Sequence, residues 1–399
     1  MSDYTVRTLR PDEHRAAVDL FRSTLHVVPT TDETWKLSER MLQPGRTLGA
    51  FDTELIGTAR SFDAEVTLPG GARAGVAGVT GVGVRPDRTR RGILTGLMRT
   101  QLADIAARGL PFAALRASEG VIYNRFGYGV ATRSRGYEID RRRAVLRPDV
   151  PAGGQVELWS LDTALERLPA LYESLPHTRP GMMTRPPYWW PGWERHAREA
   201  TSPVVTAVHH GAQGPDGYVV YSVERKHWND PAVLNIISLQ TATSEASTGL
   251  WRYVLGVDLV DTLRAEERPL DELPELLFTD IRAVKDTGGG DELWLRLADV
   301  PAALAARSYA GEPVVLEVAD PVLDGNSGRY RVAPDGVERT EETPDLRLGV
   351  DALAMIYLGA WRPSQLAAAG RIQPVAPSSL ERADRLFATP VPAWCGTHF

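Results

Sequence analysis

The run from Val79 to Met98 constrains this chain more than any other. A glycine-bearing apolar stretch (Val79-Thr80-Gly81-Val82-Gly83-Val84) passes through a basic loop (Arg85-Pro86-Asp87-Arg88-Thr89-Arg90-Arg91-Gly92) into Ile93-Leu94-Thr95-Gly96-Leu97-Met98. Ile93, Leu94, Leu97, Met98, Leu102 and Ile105 recur at helical spacing, with Gly109 and Pro111 as stop signals. A strand therefore feeds an amphipathic helix from about Arg91 to Arg108. The first N–H groups of such a helix have no partner of their own and lie at the positive end of its dipole, so they form an anion site. Gly92 lets a phosphate reach the backbone, Arg90 and Arg91 add charge, and a pyrophosphate is the natural ligand. A solvated basic loop before an ordinary helix fits the same residues. A P-loop does not fit, because Gly-Lys-Ser/Thr is missing. A dinucleotide fingerprint does not fit either, because Gly81-Val82-Gly83 lies upstream of the helix.

At 399 residues, 43% hydrophobic and 24% charged, the chain is neither disordered nor collagen-like and suggests two or three domains. Its 45 Lys and Arg against 51 Asp and Glu leave a net charge of -6, a poor basis for general nucleic-acid binding. A cationic small molecule suits it better. The single cysteine, Cys395, excludes an intrachain disulfide framework and a multi-cysteine zinc site. The histidines show no metal-ligand spacing, so no metal is expected. Met1 to Arg7 lacks an apolar signal core, and no 18-residue apolar run occurs. The expectation is a cytoplasmic protein with no membrane partner.

Two seams divide the chain. Arg147 to Gly154 is a polar breaker run, and in Asp286 to Asp291 three consecutive glycines are expected to hold neither helix nor strand. The cuts give segments 1–145, 146–287 and 288–399, each long enough to bury a core. The first alternates strands with helices near 12–26 and 91–108 and a short helix near 121–126, which implies an α/β or α+β sandwich. The middle segment repeats this order faintly, with strands at 204–208, 218–223 and 233–239 before a helix at 244–257, as an internal duplication would. The last has strands at 293–297 and 314–318, then helices near 350–358, 363–369 and 378–387.

The 79–98 stretch resembles motif A of the GNAT superfamily of acetyl-CoA-dependent N-acetyltransferases. Together with Ala117-Ser118-Glu119-Gly120-Val121-Ile122-Tyr123-Asn124-Arg125-Phe126-Gly127-Tyr128-Gly129 and the aromatic C-terminus, the whole chain resembles the Eis-type (enhanced intracellular survival) aminoglycoside N-acetyltransferases. The resemblance is strongest over 79–140 and weakest over 146–390. It implies tandem GNAT-like domains followed by a sterol-carrier-protein-like C-terminal domain. The first, 1–145, would be catalytic, the second, 146–287, would lack a cofactor site, and the third, 288–399, would return the C-terminal carboxylate to the active site. It also implies acetyl-CoA as co-substrate, an amine-rich cationic acceptor and a homohexamer. Carried over by residue, the acetyl-CoA contacts fall on Val82, Gly83, Val84, Arg90, Arg91, Gly92, Ile93, Leu94, Thr95, Ser118 and Glu119. In GNAT folds this strand splays from its neighbour, leaving backbone groups to pair with the pantetheine arm as an added strand would. Thr89 stands where the superfamily usually has Gln or Arg, and Leu94 where it often has Gly or Ala. Arg88 is a candidate for the missing charge.

By the same resemblance Tyr123 is the general acid. A thiolate whose conjugate acid has pKa ~8.5 can take a proton from an oriented phenol near ~10. Read from the residues alone, Tyr123 is a tyrosine packing a short helix on a sheet. In Eis-type enzymes the terminal carboxylate is the base, and here it belongs to Phe399. Direct transfer from an ammonium near ~10 to a carboxylate near ~3.5 leaves a gap of ~9 kcal/mol, which burial, a water relay or a less basic amine narrows. A purely anchoring tail is the plain alternative, and His398 is a rival base. Phe21, His26 and Trp35 are expected on the first helix and the loop after it, where GNAT folds bind acceptors. Asp32, Glu33 and Glu119 would attract an amine. Trp189, Trp190 and Trp193 read as packing rather than as a binding platform. The competing functions are a lipid or small-molecule carrier with a residual GNAT domain, and a protein-lysine or polyamine acetyltransferase.

Overall fold

The structure is a computed structural model that describes residues 3–227 and 229–399. Strands β1 (Thr5–Thr8), β2 (Thr47–Phe51), β3 (Leu55–Thr67) and β4 (Arg73–Val84) form an antiparallel meander. Parallel β5 (Phe112–Leu115) follows β4, and β6 (Gly129–Val130) lies at the far edge. Helices α1 (His14–Thr24) and α2 (Asp32–Arg40) fall between β1 and β2, α3 (Ile93–Ala107) between β4 and β5, and α4 (Gly120–Tyr123) after β5. Two parallel strands need a crossover, and the apolar stripe of α3 supplies it. Its buried Met98, Leu102 and Ile105 cover the sheet face carrying Ala77, Val79, Ala113 and Leu115.

A second sheet repeats the plan with β7 (Arg133–Asp140), β8 (Gln155–Trp159), β9 (Val204–Gly211), β10 (Gly214–Glu224), β11 (Val233–Thr241), β12 (Thr262–Arg268) and β13 (Val284–Asp291), in spatial order β13-β7-β12-β11-β10-β9-β8. Helices α5 (Leu161–Ser174), α6 (Trp190–Glu199) and α7 (Ser244–Leu255) lie along this stretch of chain. Parallel β11 and β12 are joined through α7 as β4 and β5 are through α3, which makes the duplication explicit.

The chain then re-enters the first sheet. Strand β14 (Trp294–Leu297) inserts between β5 and β6, pairing Leu297 with Phe112 and Leu295 with Gly129. A last sheet follows from β15 (Val314–Ala319), β16 (Gly328–Ala333), β17 (Gly336–Arg339), β18 (Leu346–Gly349) and β19 (Ile372–Pro374), ordered β17-β16-β15-β18-β19. It carries α8 (Val300–Ala306), α9 (Val350–Tyr357), α10 (Pro363–Ala368) and α11 (Pro377–Leu386). Leu316, Leu353, Ile356 and Phe387 share one core with Val76, Phe112 and Ala114. The last layer therefore covers the face of the first sheet opposite α3.

Two compact units result. One joins the chain up to Thr132, Thr178–Gly192 and Asp291–Phe399; the other is Arg133–His177 with Trp193–Gly290. Several expectations change. Asp286 to Asp291 lies in β13 instead of breaking the chain. A side chain at Gly289 would meet Ser134 O at 2.6 Å, so this one glycine lets two backbones pass closely. The strand expected at the start of the last segment joins the first sheet. Trp189 and Trp190, placed in the middle segment by sequence, belong with the first unit.

One buried ion pair ties the first unit together. Arg296 Nη2 donates to both carboxylate oxygens of Asp320 (2.8 and 2.6 Å) and Nε donates to Phe126 O (2.7 Å), with both side chains wholly buried. Asp320→Ala leaves that guanidinium buried and uncompensated, which costs about 3–5 kcal/mol. Chemical denaturation should show a loss on that scale; an unchanged midpoint would refute the role.

Candidate active site

The β4–β5 ladder is short. It runs through Val76↔Phe112, Ala77↔Ala113 and Gly78↔Ala114, whereas β4 continues to Val84 paired on its other side with β3. Beyond Gly78 the two parallel strands part, and Val82, Gly83 and Val84 line one arm of the fork. The other arm leads from Leu115 to Ser118 and Glu119, both exposed. An extended amide chain can pair with such an edge.

Helix α3 starts at Ile93, two residues later than the sequence suggests. Its N-cap, Gly92, is left-handed (φ 79°) and no side chain caps the helix, whose first bond is Gly96 N–H to Gly92 O (2.9 Å). The N–H groups of Ile93, Leu94 and Thr95 precede that bond and lack acceptors within the helix. Only glycine holds φ > 0 freely, so any other residue here is strained. Tyr4 Oη donates to Gly92 O (2.8 Å), which fixes the turn.

The arginines divide differently from the expectation. Arg91 is held by Asp3 and by Asp52 (3.4 Å), and Arg88 by Asp52 (3.2 Å) and Asp87 (2.8 Å). Main-chain N–H groups of Glu54 and Thr53, with Arg88, lower Asp52 to about 2. Arg88 and Arg91 thus build the loop as much as they charge it. Arg90 is exposed and left-handed (φ 63°), and has no ion pair among the described residues.

Tyr123 ends α4, buried at 7% exposure in the cluster that α3 forms with Ala77, Val79 and Leu115. Its ring lies edge-on to Tyr128 at 6.0 Å. Burial raises the phenol above its usual range, so it stays protonated at neutral pH.

The C-terminal tail meets the fork from the other face. The Phe399 ring packs edge-on against Phe62 at 5.3 Å. Phe62 pairs with Gly78, where a Cβ would lie 2.4 Å from the Phe62 ring. Phe399 therefore stands one ring away from the residue at which the ladder opens. Trp189 Nε1 donates to His398 O (2.7 Å), while Arg185 donates to Gly396 O (2.9 Å) and stacks on Trp189 (4.4 Å). His398 itself is exposed, and Cys395 is buried with its thiol pushed up to about 12. Sequence reasoning missed Arg185 and also Glu292, whose buried carboxylate accepts from Cys395 N (3.0 Å) and Gly396 N (2.8 Å).

The acceptor candidates lie on three elements. Phe21 is on α1, which crosses Gly83 at 3.5 Å from the Cβ position. His26 follows α1 in a left-handed turn (φ 58°) outside the helix. Trp35 is on the helix α2 and not in a loop; Thr31 caps it and Arg15 holds Asp32 at 2.7 Å.

The corresponding region of the second sheet is arranged otherwise. Thr243 caps α7 by accepting from Ala246 N (3.0 Å). The β11–β12 ladder stops at Ile236↔Ala265, and beyond it the buried Arg268 donates two bonds to Leu239 O (3.1 Å). Among the described residues no group of three or more His, Cys, Asp or Glu could hold a metal, and no helix is long and apolar enough to cross a membrane.

A meander, a crossover helix with an open start and a sheet forked in front of it define an acetyltransferase of the GNAT class. Acetyltransferase (GNAT) domain families match residues 5–131 and 181–297, and a sterol carrier protein domain family matches 300–396. The chain is 38% identical over 392 residues to an uncharacterized N-acetyltransferase of Streptomyces coelicolor, covering 92% of each. It is 36% identical over 358 residues to N-acetyltransferase Eis of Mycobacterium tuberculosis, covering 87% of this chain and 86% of that one. The crystal structure of Eis1 from Mycobacterium abscessus superposes with TM-score 0.91 at 40% identity, covering 99% and 100%. This chain belongs to the Eis family of N-acetyltransferases, enzymes that move an acetyl group to nitrogen. Members of the GNAT class take that group from acetyl-CoA.

Proposed function

We propose that this enzyme acetylates primary amines of a cationic, amine-rich acceptor, with aminoglycosides as the leading class, by direct transfer in a ternary complex. The observation that carries the reading is the fork at Gly78, flanked by the cluster of Tyr123 on one face and by Phe399 on the other. The part of the first unit up to Thr132, with β14 in its sheet, would be the catalytic domain, in place of residues 1–145; the second unit would be a GNAT-like domain without a cofactor site, and the layer after β14 the one that delivers the tail. The filled fork at Arg268 and the capped α7 support the middle assignment.

In this reading Val82, Gly83 and Val84 pair with the pantetheine amides, with Ser118 and Glu119 on the opposite arm. The N–H groups of Ile93, Leu94 and Thr95 hold the pyrophosphate, with Gly92 giving room and Arg90 and Arg91 adding charge. The Phe399 carboxylate takes a proton from the acceptor ammonium, directly or through water, and the free amine attacks the thioester carbonyl. The C–S bond breaks as Tyr123 gives its proton to the leaving sulfur, and the second nitrogen proton, released as the neutral amide forms, returns to the Tyr123 phenolate directly or through water. Phe21, His26 and Trp35 shape the acceptor side. The raised Cys395 thiol is a poor nucleophile, which supports transfer without an acyl-enzyme. The family resemblance also supports a cytoplasmic homohexamer, which sedimentation tests by mass.

Initial rates with an aminoglycoside, a polyamine and a lysine peptide should give intersecting double-reciprocal lines, the aminoglycoside having the highest kcat/KM. Parallel lines would favour an acyl-enzyme, and a better peptide or polyamine would reassign the acceptor. Gly92→Asp puts a side chain and a negative charge at the pyrophosphate position, so calorimetry should detect no coenzyme A binding to the folded variant. Unchanged affinity would place the cofactor elsewhere.

A further inference from the structure

We infer that Glu292 is a positioning residue that sets the place of the terminal carboxylate relative to the fork. The inference rests on the reading of that carboxylate as the base.

The Glu292 side chain is wholly buried, yet its two oxygens are used separately. Oε1 accepts from Gly396 N (2.8 Å), while Oε2 accepts from Cys395 N (3.0 Å) and from Thr132 Oγ1 (2.8 Å). Arg116 Nη1 stands 3.6 Å from Oε1. Two consecutive main-chain N–H groups on one carboxylate fix a turn, and Gly396 takes the left-handed conformation this requires (φ 64°). A buried carboxylate is costly unless every lone pair is used, and this one is spent on the backbone of the tail. Burial raises its pKa, opposed by the two N–H groups and Arg116.

The residues it joins are the ones the reaction must bring together. Arg116 directly follows β5, the strand whose separation from β4 makes the fork, and Ser118 and Glu119 come two and three residues later. Cys395 and Gly396 lie four and three residues before the terminal carboxylate. Glu292 thus connects the cofactor arm of the fork to the base through one pair of oxygens. Arg185 and Trp189 hold the tail further along, at Gly396 O and His398 O.

The test is a cycle of Glu292→Gln with a one-glycine C-terminal extension, in the full chain. Glu292→Gln keeps the shape but turns an NH2 group toward one of the two N–H donors. It should lower kcat at least about 10-fold while leaving coenzyme A affinity and the KM for acetyl-CoA within about twofold. In the extended enzyme the same substitution should change kcat by less than about twofold, because the carboxylate whose place it sets is already displaced by the added residue. Thr132→Val, which removes one bond to the same carboxylate, should move kcat in the same direction by less, with the protein folded. Equal losses in both backgrounds, or a fall in thermal stability that tracks the loss of rate, would make Glu292 merely structural and overturn the inference. A fully active Glu292→Gln beside an inactive extension would overturn it while leaving the carboxylate as base. If the extension itself were fully active, the failure would lie in the reading of the base.

Discussion

A single glycine added after Phe399 should reduce kcat at least about 100-fold, the scale expected for a displaced general base, in a protein that folds normally and binds coenzyme A with unchanged affinity. The extension moves the carboxylate by up to ~3.5 Å, beyond the tolerance of a positioned group. The structure shows why the displacement cannot be absorbed upstream. Cys395 and Gly396 are held by Glu292, Gly396 O by Arg185, His398 O by Trp189, and the Phe399 ring by Phe62. Phe399→Ala keeps the carboxylate but loses the ring contact, so it should retain more activity than the extension. His398→Ala should keep most of the rate, since the wild-type imidazole is exposed while its main-chain oxygen is retained. An extended enzyme that turns over at the wild-type rate would reduce the tail to an anchor.

Tyr123→Phe should lower kcat by about 100-fold with little change in coenzyme A affinity, because it removes one proton and keeps the ring. The ring is needed for packing: it fills the cluster under α3 and meets Tyr128 edge-on. That is why the phenylalanine variant is the informative one and an alanine variant is not. Burial keeps the phenol protonated in the wild type, so the activity should show no loss of the acid below the ordinary tyrosine range. Stopped-flow release of the thiol would check both points, and wild-type turnover in Tyr123→Phe would assign the residue to packing.

Features that depend on neighbours in the chain were legible from the sequence. The strand, basic loop and helix of 79–108 lie within about thirty residues, and an uncapped helix start follows from the residues on either side of it. Features that depend on distant partners were not. Nothing near Arg91 in sequence announces Asp52, which holds it from 39 residues away. Arg185 reaches Gly396 over 211 residues and Glu292 reaches it over 104. The aromatic tail could be expected to dock, but the carboxylate and guanidinium that seat it could not be named. Gly289 shows the same dependence on a distant partner, Ser134 O. Glycine reads as a breaker where the chain is considered alone, but as a permit where another backbone comes close. The helix around Trp35 is hard to read from sequence because α2 is short and polar, with Ser38 as its one buried residue, so its apolar pattern is weak.

Release of free coenzyme A thiol from acetyl-CoA, followed with and without an amine-rich acceptor and paired with mass analysis of acceptor and enzyme, tests the central claim most directly. The account predicts release that depends on the amine, acetyl groups found on the acceptor nitrogen and none on the protein, and loss of this signal in the glycine-extended enzyme. Thiol release at the same rate without any amine, or acetyl groups accumulating on the protein in place of the acceptor, would contradict it.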